Sequence, residues 1–333
     1  MTALPTTLDT ALHVSSTSLM AYKLCLDLER NAKTDRDTVY ARVLGCLMLL
    51  APISREVTAA VNLCQAQGRA DWDLLSDLGR AFVYFLIAPF RKPEDITPSL
   101  SPGWDSDTES GYDETAVKAR REVKKQAYIR DGFRCVLSGY YDWDTPEHPS
   151  INREELSRND LARNHPAHKS ILAILQNFGY SAGNPQGFPY HYNSLQNVIT
   201  ICRTAQICLN RLLLWLEPPQ DSHDLNTCVV HGEGGIFGIY KPGTIFTFTT
   251  PDPVKLPTPS SQLIGLHAFV SKLANLSGAR ELVDNLQLEM EGLGELVRLR
   301  NPTWDVGGNG AQGEQGPVSA ELLSFALSAR LTR

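Results

Sequence analysis

The strongest constraint on the fold is a break in the hydrophobic pattern over residues 91–113. The break contains three prolines, two glycines and a cluster of Asp, Ser and Thr. Prolines and glycines interrupt helices and strands, and polar side chains provide no core, so this segment is predicted to be a flexible linker. The linker divides the chain into an N-terminal part, residues 1–90, and a second part that begins at residue 114.

The N-terminal part carries apolar residues at helical spacing from residue 18 to residue 90. The pattern predicts about four packed helices, a bundle-like module. Asp37 is predicted to be the N-cap of one helix, and Asp71 or Asp73 is predicted to start another. Residues 1–17 are rich in Thr and Ser and are predicted to be loose or draped over the surface.

The second part mixes helical and strand patterns, which predicts an α+β fold class. Residues 114–130 predict a basic amphipathic helix, and Thr204–Arg211 predicts a short one. Strand patterns occur at Val198–Ile201, Thr227–His231, Ile236–Tyr240 and Ile245–Thr249, the middle pair forming a β-hairpin. Residues 212–216 fit either helix or strand. Residues 114–250 are predicted to form one α+β core, followed by a C-terminal helical region, 251–333, that begins with an extended proline-rich connector.

Charge and cysteine content limit the classes of partner. The 333 residues contain 31 Lys plus Arg and 37 Asp plus Glu, a net charge of −6, so the whole chain exerts no electrostatic pull on a phosphate backbone. Nucleic acid is therefore not the expected partner. Seven cysteines lie mostly in apolar runs without a Cys-x-x-Cys pair, which favours a reducing, intracellular compartment. The cytoplasm is expected, with the nucleus as the alternative; no signal peptide or membrane span is predicted.

Several sequence blocks share their order and character with one known family. They are KKQAYIRDGFRCVLSGYYD at 124–142, ILAILQNFGY at 171–180, SLQNVITI at 194–201, RLLLWLEP at 211–218, FTFTTPDPVKLPTPS at 246–260 and ANLSGA at 274–279. With these blocks the chain resembles a family of fungal proteins built around an HNH nuclease domain. The resemblance implies a ββα-metal-like core between the N-terminal helical module and the C-terminal helices.

The resemblance also implies which residues stand at the nuclease positions. In the family a strand histidine is the general base, a turn asparagine orients it, and a helix histidine binds a divalent metal. By the resemblance Asn197 is the turn asparagine, but Gln206 replaces the helix histidine and Asn210 replaces the Asp that usually follows it. A neutral amide is a weak ligand for a hard cation. The chain is therefore a degenerate member that is expected to hold no metal and no cofactor; Mg or Zn is the alternative if nuclease activity is retained.

Eight residues are candidates for a site in the former nuclease cleft. His168 is the nearest counterpart of the general base, although its spacing to the following helix is shortened. The candidate catalytic residues are His168, Tyr190, His191 and Asn197, and the candidate substrate-binding residues are Tyr192, Asn193, Gln206 and Asn210. Each has an ordinary alternative: loop histidines near a helix start, a turn asparagine bonded to the backbone, and aromatic packing in a loop. His231 and His267 fit structural positions.

Three functions follow from these observations. The first is a repurposed scaffold that acts as a metal-independent enzyme or as a binder of a small, fairly apolar molecule. The second is an active HNH-type endonuclease with rewired ligands, for example Asp142 or Asp144 with His168. The third is a non-catalytic protein-interaction module that uses the N-terminal helices. Whether the chain catalyses a reaction is left open, and so is a homodimer.

Overall fold

The computed structural model has an α+β architecture. Within the part of the chain that it describes, eight α-helices accompany a three-stranded antiparallel sheet and a two-stranded ladder. No helix in that part is long and apolar enough to cross a membrane. The described residues are 3–6, 16–50, 54–66, 69–91, 114–139, 194–219, 224, 226–232 and 241–292.

Contacts group the chain into two compact units. The first unit comprises Met1–Arg91, Asp160–Pro189 and Phe269–Arg333, and the second comprises Lys92–Asn159 and Tyr190–Ala268. The sequence-based domain boundaries stay predictions, and most of the predicted linker lies outside the described residues.

Four helices form the N-terminal portion of the first unit. They are α1 (Ser16–Arg30), α2 (Asp35–Leu50), α3 (Ser54–Leu63) and α4 (Trp72–Phe82). Between α3 and α4 a short ladder pairs β1 (Gln65–Ala66) with β2 (Arg69–Ala70), which the sequence did not predict. Helix α2 contacts the other three helices, and its buried Val43, Leu44 and Leu47 lie at helical spacing. After α4 the chain continues through a π-helical turn, Val83–Ile87, and a 3-10 turn, Ala88–Phe90.

Side-chain caps fix where α2 and α4 begin. Asp71 accepts a hydrogen bond from the Leu74 amide at 3.0 Å, so the predicted cap of α4 is confirmed. At α2 the prediction was wrong by three positions. The Thr34 hydroxyl accepts from the Asp37 amide and the Asp37 carboxylate accepts from the Thr34 amide, both at 3.1 Å, which forms a reciprocal capping box. Thr34 is the cap because an N3 carboxylate can reach back to it.

Residues 3–6, near the start of the chain, are held against helix α1. Leu4 is buried, and its amide donates to the Glu29 carboxylate at 3.2 Å. The Tyr22 hydroxyl donates to the Pro5 carbonyl at 2.9 Å. Glu29 also accepts from Arg42 at 2.6 Å, which links α1 to α2. Residues 1–17 were predicted to be loose or draped over the surface, and Leu4 and Pro5 fit the second alternative, because one apolar side chain and two backbone groups have partners on α1.

Helix α8 (Ala279–Gly292) returns to the first unit, where it contacts α2 and the π-helical turn. Its Asp284 accepts a hydrogen bond from Arg91, whose side chain is almost fully buried. A buried guanidinium requires a charged or carbonyl partner, so this ion pair ties α8 to the end of the N-terminal helices.

The second unit is built on the three-stranded sheet. Its order is β3 (Leu214–Glu217), β4 (Thr227–Gly232) and β5 (Ile245–Thr247), with all neighbours antiparallel. Helices α5 (Glu114–Arg130) and α6 (Arg203–Asn210) precede the sheet, and α7 (Ser261–Ser277) follows it. The division between the units falls within α7, after residue 268.

One face of the sheet packs against α6. The strands alternate inward and outward residues, as a half-buried sheet requires. The inward residues of β3 and β4, together with residues of α6 and with Phe248 directly after β5, form one apolar cluster. Its members are Ala205, Cys208, Leu209, Leu214, Leu216, Cys228, Val230 and Phe248.

Three local predictions in this unit need correction or completion. Val198–Ile201 is extended but is not part of a β-strand; its Thr200 carbonyl accepts a hydrogen bond from the amide of Val136, which lies in a turn. The ambiguous stretch at 212–216 becomes β3 from Leu214 onward. The proline-rich connector folds into a turn instead of staying extended, because Asp252 accepts from the amides of Val254 and Lys255. The predicted strand Ile236–Tyr240 lies outside the described residues.

Candidate functional site

The structure describes three of the eight candidate residues. His168, Tyr190, His191, Tyr192 and Asn193 lie outside the described residues. Asn197, Gln206 and Asn210 are all described, and each is half-buried. The two on α6 share one helix face because they are four residues apart.

The segment that carries Asn197 is held by a buried arginine. Arg130, the last residue of α5, and its neighbour Asp131 have side chains that are 0% and 2% exposed. Arg130 Nε donates to Asp131 Oδ1 at 2.7 Å and Nη2 donates to Oδ2 at 2.9 Å. This two-point ion pair fixes the guanidinium plane, so its remaining N–H groups point in defined directions.

Those N–H groups collect three backbone carbonyls from distant parts of the chain. Nη1 donates to the carbonyls of Leu195 at 2.9 Å and Pro257 at 3.2 Å, and Nη2 donates to that of Val198 at 2.6 Å. Asp131 Oδ2 accepts from the Thr200 amide at 2.9 Å. The Arg130–Asp131 pair thus fixes both ends of the segment 195–200, and with it the position of Asn197.

Asn197 ends a 3-10 turn, Leu195–Asn197, that begins at Ser194. The Ser194 hydroxyl accepts from the Gln196 amide at 3.2 Å, and the Ser194 carbonyl accepts from the Asn197 amide at 2.9 Å. Asn197 is therefore a turn residue, in agreement with both of its sequence interpretations. The role that the family resemblance implies for Asn197 stays a prediction.

The half-buried face of α6 that contains Gln206 and Asn210 carries amides where the resemblance implies a histidine and an aspartate. Gln206 Oε1 accepts a long hydrogen bond, 3.5 Å, from Arg203 Nη1 one turn earlier. Arg203 is the one charged residue in α6, and the helix contains no carboxylate or histidine. Gln206 and Asn210 therefore offer neutral donors and acceptors on this face.

The C-terminal end of α6 is bounded by His267 and by Leu212, and Leu212 has a left-handed backbone conformation. His267 Nε2 donates to the Leu209 carbonyl at 3.3 Å, and its desolvation lowers the pKa of His267 to about 4. Leu212 adopts a φ of 55° and is fully buried. The Leu213 amide donates to Cys208 and the Leu212 amide to Leu209, which is the Schellman end of a helix. Such ends usually use glycine, so burial of Leu212 offsets the backbone strain.

The most distinctive titratable group of the second unit is the Cys135 thiol. It is 2% exposed, yet its pKa falls to about 5. The first cause is a hydrogen bond from the Cys202 thiol, which outweighs the effect of burial; the Ser138 hydroxyl and the amides of Cys202 and Ser138 contribute further hydrogen bonds. These hydrogen bonds therefore hold the pKa of the Cys135 thiol below its usual range.

The turn after α5 positions Cys135. Gly132 (φ 64°) and Phe133 (φ 57°) are left-handed, and the Phe133 amide donates to the Tyr128 carbonyl at 2.9 Å. The Tyr128 and Phe133 rings stack with centroids 6.1 Å apart, the apolar contact that accompanies this type of helix end. The chain then reverses, and the Val136 amide donates to the Thr200 carbonyl at 2.9 Å. That bond places the residue after Cys135 beside the approach to Cys202.

The other face of the sheet carries a second polar group. Trp215 and His231 are direct cross-strand partners with stacked rings, centroids 6.2 Å apart, and His231 Nε2 lies 3.5 Å from Glu217. This arrangement agrees with the structural role predicted for His231, because each ring covers its neighbour across the ladder.

No group of three or more His, Cys, Asp or Glu side chains that could hold a metal occurs among the described residues. The prediction that the inherited site holds no metal stays a prediction, since His168, Asp142 and Asp144 lie outside those residues. Comparison with protein-family models, with curated proteins and with solved structures finds no match to this chain.

Sequence reasoning missed both the Arg130–Asp131 pair and the Cys135–Cys202 pair. Arg130 ends a basic helix and has the pattern of a solvated residue. The two cysteines are separated by 67 positions and lie in apolar runs typical of core residues. The Arg-Asp dipeptide directly before a left-handed glycine was the one local signal, and it indicates a helix end without showing burial.

Proposed function

We propose that this chain is an HNH-like scaffold that has lost metal-dependent nuclease chemistry and binds, or converts without a metal, a small and largely apolar molecule. The observation that carries the proposal is the amide face of α6, where Gln206 and Asn210 stand at positions that serve metal chemistry in the resembled family. A helix face without carboxylate or imidazole lacks the negative charge that tight binding of a hard cation requires, and its amide oxygens are weaker ligands.

The same face is suited to a neutral polar group on an apolar ligand. Each amide has two N–H donors and a carbonyl acceptor, so Gln206 and Asn210 together can pair with a carbonyl, hydroxyl or amide. Half-burial lowers the local dielectric and strengthens such hydrogen bonds. Ile207, which lies between them, is itself half-buried and adds apolar surface. A neutral ligand also suits a chain whose net charge is −6.

Plasmid nicking tests the loss of nuclease activity. The unmodified full-length chain is incubated with supercoiled plasmid and with Mg²⁺, Mn²⁺ or Zn²⁺ in separate reactions, and open-circular DNA is measured. We expect no cleavage above a metal-free control. Robust metal-dependent nicking that is removed by Asn197→Ala would overturn the proposal in favour of an endonuclease with rewired ligands.

Ligand-induced thermal shifts test the binding function. The probes are a panel of neutral aromatic amides and alcohols, compared with carboxylates and phosphate esters of the same ring systems. We expect neutral probes to raise the Tm of the unmodified chain. The double variant Gln206→Ala/Asn210→Ala should lose these shifts. The control variant Asn62→Ala, which removes an amide from α3 instead, should retain them. Shifts confined to the anionic probes, or unchanged in the double variant, would contradict the proposal.

A second candidate, a protein-interaction module, is favoured by an exposed apolar patch in the first unit. Leu19, Met20 and Leu63 are 41%, 57% and 50% exposed. Asn62 Nδ2 donates to the Thr17 carbonyl at 3.4 Å, which brings the start of α1 beside the end of α3. Exposed clusters of this kind mark interaction surfaces. Sedimentation of the unmodified chain and of Met20→Lys/Leu63→Glu tests for a homodimer, and a monomer in both would exclude self-association through this patch.

A further inference from the structure

A groove between α1 and α2 holds a short stretch of the chain itself. Within residues 3–6, Leu4 is 5% exposed, whereas Ala3, Pro5 and Thr6 are exposed. One side chain therefore provides the apolar anchor of this stretch. The groove belongs to the first unit, and the amide face of α6 belongs to the second, so the two are separate sites.

Gly45 of α2 forms the floor of the socket that receives Leu4. A Cβ on Gly45 would lie 2.6 Å from each of the two terminal methyl carbons of Leu4. A larger residue would therefore occupy the space that the Leu4 side chain fills. Glycine is a poor helix former in a helix interior, and the contact with Leu4 gives a physical reason for its presence here.

Two polar side chains of α1 hold the backbone on either side of the socket. Tyr22 and Glu29 lie two turns apart on one helix face. The Glu29 carboxylate accepts from the Leu4 amide at 3.2 Å, and the Tyr22 hydroxyl donates to the Pro5 carbonyl at 2.9 Å. Arg42 Nε donates to Glu29 Oε1 at 2.6 Å and so fixes the carboxylate. Both hydrogen bonds to the stretch reach backbone atoms, so the groove selects for one leucine side chain and an extended backbone.

The protonation state of Tyr22 suits this role. Burial raises the pKa of Tyr22 to about 12, so its hydroxyl keeps its proton and remains a donor at neutral pH. A backbone carbonyl can only accept a hydrogen bond. The groove therefore presents a donor for a carbonyl and an acceptor for an amide, which is the polar pattern of a peptide backbone.

We propose that this groove is a binding site for a leucine–proline peptide segment of a partner protein, and that residues 3–6 occupy it as an intramolecular competitor. Proline has no N–H and keeps the residue before it extended. A leucine that precedes proline thus loses little conformational freedom when it docks. Main-chain hydrogen bonds combined with a pocket for one side chain are a recurring mode of peptide recognition.

A partner protein suits the groove better than a second copy of this chain. In a second copy the groove is filled by that copy's own residues 3–6, so an exchange between copies replaces each contact with an identical one. A partner can add contacts outside the groove and so displace a stretch that is held by one buried side chain. The competitor lowers the apparent affinity for the partner by the fraction of chains whose groove is open.

Peptide titration of the full-length chain tests the proposal. The probe is an amidated peptide with the sequence of residues 2–7, and the readout is the nuclear magnetic resonance signal of the Arg42 amide in ¹⁵N-labelled protein. Leu4→Glu opens the groove, because it would place a second carboxylate beside Glu29. We expect this variant to bind the peptide at least about tenfold more tightly than the unmodified chain does. The peptide with the same Leu4→Glu change should bind to neither chain.

Variants of the groove separate specific docking from nonspecific contact, and each is made in the Leu4→Glu chain. Gly45→Val fills the socket and should abolish peptide binding. Tyr22→Phe removes the donor to the proline carbonyl and should weaken binding by about two- to tenfold. Tyr40→Phe, which removes a hydroxyl from the residue of α2 that packs against Gly79 of α4, should leave binding unchanged.

Two results would overturn the proposal. One is the absence of peptide binding to Leu4→Glu, or equal binding after Gly45→Val, in protein that circular dichroism shows to be folded. The other is a dimer of the unmodified chain in sedimentation that Leu4→Glu abolishes, because it would assign the groove to a second copy. Should Leu4→Glu fail to fold, Leu4→Ala replaces it, with tighter peptide binding than the unmodified chain as the expected result and unchanged binding as the contrary one.

Discussion

Arg130 and Asp131 are sequence neighbours that form a buried two-point ion pair, with Nε to Oδ1 at 2.7 Å and Nη2 to Oδ2 at 2.9 Å. Adjacent residues seldom pair in this way in a helix, where they point in different directions. Here the helix ends at Arg130, so the Asp131 side chain is free to turn back. The pair then binds the backbone around Asn197 and provides the rigid base of the candidate site.

Removal of Arg130 should destabilise the second unit strongly. Arg130→Met leaves the Asp131 carboxylate buried without its charged partner and removes a donor from three carbonyls, which should cost about 3–5 kcal/mol. Urea denaturation of the full chain measures the loss, and faster hydrogen exchange at the Thr200 amide localises it. Lys125→Met, an exposed change on the same helix, should stay within about 0.5 kcal/mol of the unmodified chain. Equal effects of the two substitutions would contradict the anchoring role.

Two helical glycines should respond to alanine in opposite directions. A Cβ on Gly79 would lie 2.6 Å from the Tyr40 carbonyl oxygen and 2.7 Å from Tyr40 Cβ, so Gly79→Ala should separate α4 from α2 and cost about 1–3 kcal/mol. A Cβ on Gly265 of α7 would meet nothing within 4 Å. Gly265→Ala should therefore raise stability by up to about 1 kcal/mol through helix propensity. Thermal unfolding measures both, and a stabilising Gly79→Ala would show that the helix contact is looser than described.

At Leu212, whose backbone is left-handed, a glycine variant should be at least as stable as an alanine variant, the reverse of the usual order of stability. Leu212→Ala loses the buried side chain and keeps the strained φ of 55°, whereas Leu212→Gly also relieves the strain, which is worth about 1 kcal/mol. We expect the glycine variant to be no less stable than the alanine variant. At Leu214 on β3, where φ is ordinary, glycine should be the worse of the two. The urea midpoints of the four variants measure these differences in stability. The same order of glycine and alanine at both positions would contradict the conclusion that Leu212 is strained.

His267 should make the second unit acid-sensitive. Its folded-state pKa of about 4 lies below the ordinary value of 6.5, so the unfolded chain binds a proton between these pH values and the folded chain does not. The stability that His267 contributes is complete above about pH 6.5 and is lost as the pH falls toward 4, at no more than about 1.4 kcal/mol per pH unit. His267→Gln, which retains a donor to Leu209, should flatten this part of the profile. An unchanged profile would assign the acid sensitivity to other groups.

Local patterns predicted much of the secondary structure, because helical periodicity and short-range caps depend on neighbouring residues. The Asp71 cap and the helix that ends at Arg130 both follow from signals within a few positions. The burial of Arg130 does not, since its carbonyl partners lie 65, 68 and 127 positions away. The Cys135–Cys202 contact and the left-handed Leu212 likewise arise from tertiary packing that no local pattern encodes. The shared helix face of Gln206 and Asn210 follows from their four-residue spacing, whereas their place in a former metal site depends on the family resemblance and stays a prediction.

The loss of the metal site is tested most directly by titrating the protein with Mn²⁺ and measuring the electron paramagnetic resonance signal of the free ion. Mn²⁺ prefers oxygen and imidazole ligands to thiols, so the Cys135–Cys202 pair should not interfere. The proposed function predicts that an equimolar amount of the unmodified chain leaves the free-ion signal unchanged. The variant Gln206→His, which restores one metal ligand, is titrated in parallel for comparison. Loss of the signal at one ion per unmodified chain would contradict the proposal.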